Sequence, residues 1–239
     1  MKIYQQKIRI VAIFLMMAMV AAGLKLGKVS SVEHVDLAMA ASDEARINLN
    51  IPFTSQAPSG EWADPVFQNG CEEASILMVI AWIKGQTITV ESAKQEIRRI
   101  SDYEKQVFGT DINTSIEDTA RIIREHYGYS NIEIKKNIQV RDIIEELQAG
   151  SAVIVPVDGQ ELANPHYIQP GPPVHMLVLV GYDADTQEFI ANDPGTRFGE
   201  GYRYGETTLF NSIRDYPTGD YHSFSPSVVA KNILVARKA

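Results

Sequence analysis

The pattern of hydrophobic and polar positions divides the chain into a helical half and a strand-rich half. Residues 71–82, directly after Gly70, form a strongly helical run that is wholly apolar from residue 76 onward, which is typical of a buried helix. Apolar positions recur at helical spacing in residues 90–99, 115–127 and 140–149. Short apolar runs predict strands at residues 131–135, 152–157, 175–182, 187–191 and 232–235. This order predicts an α+β domain in which a helical part packs against an antiparallel sheet.

Two of the predicted strands, residues 175–182 and 187–191, are joined by a short turn at residues 183–186 and form a predicted hairpin. A hairpin sets the start of one strand beside the end of the other. His175 opens the first strand, and Asp193 directly follows the second in the sequence Asn-Asp-Pro-Gly. We therefore expect these two side chains to face each other at one end of the hairpin.

The only cysteine of the chain, Cys71, lies where the helix of residues 71–82 begins. A lone cysteine is most often a small buried hydrophobic residue. At a helix N-terminus, however, the helix dipole favours the thiolate, so we expect a lowered pKa for this thiol. With His175 and Asp193 it makes a predicted Cys-His-Asp triad in chain order. His166 is a rival base, but we prefer His175 because a strand holds its geometry better than a loop does.

Four blocks of sequence, in this order, resemble the bacteriocin-processing (double-glycine leader) peptidases, a family of papain-like cysteine peptidases, in its standalone branch without a transporter domain. The blocks are Pro52-Phe53-Thr54-Ser55-Gln56, Gly70-Cys71-Glu72-Glu73-Ala74-Ser75, residues 175–182 and Ala191-Asn192-Asp193-Pro194-Gly195. The resemblance covers roughly residues 48–239 and implies a papain-like fold with the nucleophile on the central helix. It also implies that Cys71 is the nucleophile, His175 the general base and acid, and Asp193 the orienting carboxylate.

The resemblance further implies a glutamine upstream of the cysteine that helps to form the oxyanion hole. Gln56 is the better match, and Gln68 is the rival. The chain differs from the commoner family pattern in having Cys-Glu-Glu where Cys-Gly-Pro is usual. Glu72 and Glu73 occupy the first helical turn, where a carboxylate near the sulfur would oppose thiolate formation. We expect both to point away from it.

Length and composition agree with one catalytic domain, and the resemblance implies that it acts on a peptide or protein substrate. About 190 residues remain after the N-terminal segment, enough for one sizeable core. The net charge of −8 argues against a nucleic-acid partner, because a surface that follows phosphates needs clustered Lys and Arg. The expected activity is hydrolysis of a peptide or isopeptide bond through an acyl-thioester on Cys71. No metal or organic cofactor is implied.

The N-terminus is predicted to be a separate unit. Basic residues precede an uncharged apolar run at residues 10–24, so residues 1–24 are expected to be a signal peptide or a signal anchor. Fifteen residues at ~1.5 Å each fall short of a ~30 Å hydrocarbon core, which favours the signal peptide. Residues 25–46 are then a linker or pro-segment, and residues 47–239 the peptidase domain. We expect the protein outside the cytoplasm, secreted or anchored to the membrane.

Three other functions remain open at this point. An acyltransferase or transglutaminase-like enzyme would use the same triad, and competition between amines and water would separate it from a hydrolase. A cell-wall endopeptidase would release soluble fragments from peptidoglycan. A non-catalytic binding module with a relic site is the third alternative, although all of the triad residue types are present.

Overall fold

The computed structural model describes residues 46–219 and 230–239, all of which belong to one compact unit, Asp43–Ala239. The predicted signal peptide or anchor at residues 1–24 lies outside the described residues, as does nearly all of the predicted linker. Among the described helices, none combines the length and the apolar character needed to cross a membrane.

The helices of the described ranges lie on both faces of the sheet. They are α1 (Pro65–Gln68), α2 (Cys71–Lys84), α3 (Val90–Phe108), α4 (Ile116–Glu125), α5 (Val140–Gln148), α6 (Gly159–Leu162) and α7 (Glu206–Ser212). Helices α5, α6 and α7 lie on the face opposite the buried helix α2. Every residue of α2 from Cys71 to Trp82 is buried. This burial explains why the sequence of α2 is apolar on all sides instead of showing a single hydrophobic stripe.

The strands form one sheet in which each pairing is antiparallel. They are β1 (Arg46–Asn48), β2 (Ile132–Lys135), β3 (Ala152–Val157), β4 (His175–Asp183), β5 (Glu188–Asn192), β6 (Tyr202–Gly205) and β7 (Ile233–Ala236). Their order is β2-β7-β3-β4-β5-β6, with β1 also paired to β4. The predicted α+β class, with the cysteine on a central helix against an antiparallel sheet, is confirmed.

The two faces of β4 pack against different layers. Met176 and Val178 belong to the same buried cluster as the α2 residue Ile76, whereas Leu177 and Leu179 belong to a cluster on the opposite face of the sheet. Alternation along the strand produces this division. The helix that carries Cys71 is therefore docked directly on the strand that begins with His175.

Three segments differ from the prediction. The stretch before Cys71, where the pattern predicts no helix, contains α1, because Asp64 caps the helix by accepting from the Val66 N–H and Pro65 occupies its first turn. The helix predicted at residues 90–99 continues to Phe108. The loop expected at residues 158–174 contains α6, whose first N–H groups donate to the Asp158 carboxylate.

Candidate active site

Cys71 is the first residue of α2 and is held by a tight turn. A Cβ atom on Gly70 would lie 2.9 Å from the Val66 carbonyl oxygen, so only glycine allows α1 to approach the start of α2 this closely. The Cys71 side chain is 7% exposed. The hydroxyl of Ser75, one turn further along α2, donates to the Met176 carbonyl oxygen at 3.4 Å. These contacts fix the start of α2 against the start of β4.

The carboxyl group of Glu72 faces the sulfur, so the expectation that it points away is wrong. Its Oε2 lies 2.9 Å from Cys71 Sγ, and the side chain is buried. Its Oε1 accepts from the Tyr216 hydroxyl at 2.8 Å and from the Thr114 backbone N–H at 3.1 Å. These two donors come from distant parts of the chain, which is why the helix sequence alone predicted the wrong direction.

The expectation of a lowered thiol pKa is also wrong for the protein without substrate. Burial is the largest cause that raises the pKa of Cys71, and the charge and hydrogen bond of Glu72 raise it further. The Met176 backbone N–H lowers this pKa but does not offset the other causes. The helix start does not decide the protonation state, because burial and a neighbouring carboxylate act on the same sulfur.

Glu73 is buried as well, next to Glu104 on α3, and one oxygen of each carboxyl group is buried without a hydrogen-bond partner in the described part of the chain. Burial and the neighbouring carboxyl groups raise the pKa of Glu73 well above its usual range. Burial raises the pKa of Glu104 to about 8. Both shifts favour the protonated carboxyl groups, so this pair carries at most one negative charge near neutral pH.

His175 and Asp193 face each other, as the hairpin predicts. The imidazole Nε2 lies 2.8 Å from Asp193 Oδ1, and both side chains are at most 2% exposed. Burial alone would raise the pKa of Asp193, but the charge and hydrogen bond of His175 reverse the shift and lower it. Because the carboxylate accepts from Nε2–H, the neutral imidazole presents Nδ1 as its acceptor nitrogen.

Asp193 is held by further donors that the sequence did not reveal. The hydroxyl groups of Tyr167 and Tyr204 and the amide of Asn164 donate to its Oδ2, the amide at 3.2 Å. The Gly195 backbone N–H donates to Oδ1 at 2.9 Å. The alternating Tyr-Arg-Tyr sequence of β6 is a signal for a strand, but it does not indicate a contact with Asp193. The pairing of β6 with β5 brings Tyr204 to the Asp193 carboxylate. The buried aspartate therefore has several donors that compensate its charge.

Gln56 lies between the start of α2 and the loop after β5. Its backbone N–H donates to the Pro194 carbonyl oxygen at 2.9 Å. Its amide nitrogen donates to the carbonyl oxygens of Phe67 and Gln68, at 3.1 and 2.8 Å. Its Oε1 is buried without a hydrogen-bond partner. Because both amide hydrogens are engaged, the side-chain amide must rotate before Gln56 can donate to an oxyanion. The Gln68 side chain is exposed.

The remaining rivals lie away from this pair. His166 is exposed, and its ring packs against Phe198 with centroids 4.8 Å apart. Asp183, at the far end of β4, forms an ion pair with Arg203 at 2.6 Å. Of the candidate histidines and hairpin carboxylates, the fold thus pairs His175 with Asp193. Among the hydrogen bonds of residues 46–219 and 230–239, that of the Cys71 side chain reaches Glu72 and not His175.

Comparison with known proteins identifies the family of this fold and site. The model of the Peptidase C39-like family matches residues 48–218, which include Gln56, Cys71, His175 and Asp193. The chain belongs to the Peptidase C39-like family. Membership supports a cysteine peptidase and agrees with the resemblance at the level of the wider family. The bacteriocin-processing branch stays a prediction.

Solved structures share the fold at low sequence identity. A protein of Bacillus anthracis described as a C39-like peptidase superposes with a TM-score of 0.53 and 12% identity, over 81% of this chain and 98% of that one. Xylellain, a cysteine protease from Xylella fastidiosa, gives a TM-score of 0.47 and 14% identity, over 82% and 86% of the two chains. No curated protein matched the sequence. The fold is that of the C39-like, papain-type cysteine peptidases.

Proposed function

We propose that the protein is an exported cysteine peptidase that hydrolyses peptide or isopeptide bonds with Cys71 as its nucleophile. The observation that carries the proposal is the buried His175–Asp193 pair at the start of β4, the strand that α2 contacts through the hydrogen bond from Ser75 to Met176, one turn after Cys71. Membership of a peptidase family supports the same chemistry. Peptide or protein chains are then the substrates.

The geometry supports a stepwise acyl transfer to water. The Cys71 S–H bond breaks and its proton moves to Nδ1 of His175, while the sulfur attacks the carbonyl carbon of the scissile bond. The proton then passes from His175 to the leaving amine, and the acyl group remains on sulfur as a thioester. Water loses a proton to His175 and attacks the thioester. The C–S bond then breaks, the acid product leaves, and His175 gives its proton to the sulfur of Cys71.

Asp193 and Gln56 have supporting roles in this proposal. The Asp193 carboxylate fixes the imidazole tautomer and stabilises the imidazolium that forms in each step. Gln56 lies beside the start of α2, so a rotated amide would donate to the oxyanion of the tetrahedral intermediate. An oxyanion donor of this type contributes about 10² to turnover.

Action outside the cytoplasm is supported by the sequence, because Lys2, Lys7 and Arg9 precede the apolar run of residues 10–24. Fractionation of cells that express the full chain with a C-terminal tag tests this part of the proposal. Recovery from the medium or the membrane, with protease access from outside, is the expected result. Recovery from the cytoplasm alone contradicts it.

The activity is tested by incubating the protein and its Cys71→Ala variant with a peptide library and identifying products by mass spectrometry. We expect cleavage by the unmodified protein and none by the variant at equal folded concentration. If an added amine replaces water in the product, an acyltransferase is favoured instead. If fragments are released only from peptidoglycan, a cell-wall endopeptidase is favoured. Equal cleavage by Cys71→Ala contradicts the proposal.

A further inference from the structure

The sulfur of Cys71 has a carboxylate partner that the proposed reaction does not use. Glu72 Oε2 lies 2.9 Å from Sγ, within hydrogen-bonding distance of a thiol proton. The carboxyl group accepts at its other oxygen from Tyr216 and from the Thr114 N–H. Both of its oxygens therefore face donors, an arrangement that suits the acceptor-only carboxylate form.

We propose that Glu72 holds the nucleophile as a neutral thiol in the free protein, and that this contact opens when substrate binds. The proposal rests on the proposed function, since it concerns the nucleophile of that reaction. Tyr216 and Thr114 anchor Glu72 from outside α2, so the carboxyl group stays in place. The sulfur turns instead, by rotation about the Cα–Cβ bond of Cys71.

The proton balance of the opening step is simple. While the thiol proton is donated to Glu72, it is not directed at His175. After the sulfur turns, the S–H bond breaks, an N–H bond forms at Nδ1 of His175, and Glu72 keeps its charge. The fixed carboxylate of Glu72 would repel a thiolate beside it. The reactive pair of Cys71 thiolate and His175 imidazolium therefore accumulates only when substrate is bound and the sulfur has turned away from Glu72. The free protein is thereby protected from alkylation and oxidation, both of which need the thiolate.

Several ionisable groups near Glu72 and the sulfur contribute to the pH profile of alkylation. They lie on α2, α3, β4 and the segment after α7, and they are Glu73, Glu104, His175, Asp215 and Tyr216. Burial raises the pKa of Glu73 and favours its neutral form, so replacing it with a neutral amide changes little of the charge near the sulfur. Glu73→Gln is therefore a matched control for Glu72→Gln, one residue away and equally buried.

The test is the rate of alkylation by iodoacetamide between pH 5 and 10, measured for the unmodified protein, Glu72→Gln and Glu73→Gln. We expect the inflection of the unmodified protein above the value of about 8.5 of a free thiol. Glu72→Gln should lower the inflection by at least one unit. A decrease of one pKa unit gives about tenfold more thiolate at pH 7. Because a thiolate of lower pKa is a weaker nucleophile, the alkylation rate rises by only about threefold. Glu73→Gln should shift it much less.

Two outcomes overturn the inference. An inflection of the unmodified protein at or below that of a free thiol contradicts it without any variant, so a Glu72→Gln protein that fails to fold does not block the test. The same inflection in folded Glu72→Gln and in the unmodified protein contradicts it as well. Alkylation needs no substrate, so it is measured independently of peptide cleavage. If either contradicting inflection is found and peptides are still cleaved through Cys71, only this inference fails. If no peptide is cleaved, the proposed function fails separately.

Discussion

At the scale of single residues, the buried charge of Asp193 organises the histidine side of the site. Two tyrosine hydroxyls and an asparagine amide reach one oxygen, while His175 and a backbone N–H reach the other. A carboxylate with donors on both oxygens cannot rotate without losing several of them. The orientation of the imidazole therefore depends on residues that act through Asp193, which makes Tyr204 a positioning residue.

Tyr204→Phe removes one of these donors and keeps the ring. A hydrogen bond to a charged group contributes about 1.5–3 kcal/mol, so we expect turnover to fall by about tenfold or more as the pair loses alignment. KM should change little, because the hydroxyl is buried behind Asp193. Steady-state kinetics on a cleaved peptide provide the measurement. Tyr202→Phe, on the same strand with its ring 4.8 Å from that of Tyr204, is the control and should retain activity. Equal kinetics for the two variants would show that the hydroxyl has no such role.

At the scale of elements, the sheet depends on how closely β1 approaches β4. Gly181 lies opposite Asn48, and a Cβ atom there would lie 2.1 Å from the Ile47 carbonyl oxygen. Backbone atoms cannot yield at that distance as a side chain could. The pairing of two strands that are far apart in sequence thus requires glycine at this position. The sequence pattern does not indicate this requirement, because Gly181 lies within the apolar run of residues 175–182.

Gly181→Ala should therefore weaken the attachment of β1 to β4. Overpacking of this kind costs about 1–3 kcal/mol, which chemical denaturation will detect as a lower free energy of unfolding. Hydrogen exchange at the Leu49 N–H, which donates to the Val180 carbonyl oxygen at 2.6 Å, should become faster. Gly205→Ala is the control, because the nearest atom to its Cβ position is 4.0 Å away. Unchanged stability and exchange in Gly181→Ala would mean that β1 does not pair as described.

At the scale of the whole molecule, the buried carboxyl groups make stability depend on pH. The pKa of Glu104 rises from its ordinary 4.5 to about 8 because the group is buried. Between these values the folded protein keeps a proton that the unfolded chain has lost. By linkage, the contribution of Glu104 to the free energy of unfolding decreases as pH rises through this window and changes no further above about 8.

Glu104→Gln removes this titration and can still accept from the Thr114 hydroxyl. We expect its free energy of unfolding to fall less between pH 5 and pH 8 than that of the unmodified protein, measured by urea denaturation at both pH values. Glu91→Gln, at an exposed position in the first turn of the same helix, is the control and should follow the unmodified protein. A parallel decline in all three proteins would place the titrating group elsewhere.

The difference between what could and could not be predicted follows the range of the interactions. The helix at Cys71 and the hairpin that joins His175 to Asp193 depend on neighbouring residues and a short turn, and both are found where the pattern predicted them. The direction of Glu72 depends on Thr114 and Tyr216, and the support of Asp193 on Asn164 and Tyr204. No local pattern records such contacts or the burial of Cys71, so the pKa of the thiol was predicted in the wrong direction.

The most direct test of the account is the turnover of one cleaved peptide by Asp193→Asn. We expect a loss of about 10² or more, because the imidazole loses its tautomer and its protonated form loses a counter-charge, while circular dichroism shows the fold retained. Asp185→Asn, the same change at an exposed position in the turn after β4, should retain turnover within about a factor of two, as surface changes usually do. Undiminished turnover by folded Asp193→Asn would contradict the proposal that His175 and Asp193 activate Cys71.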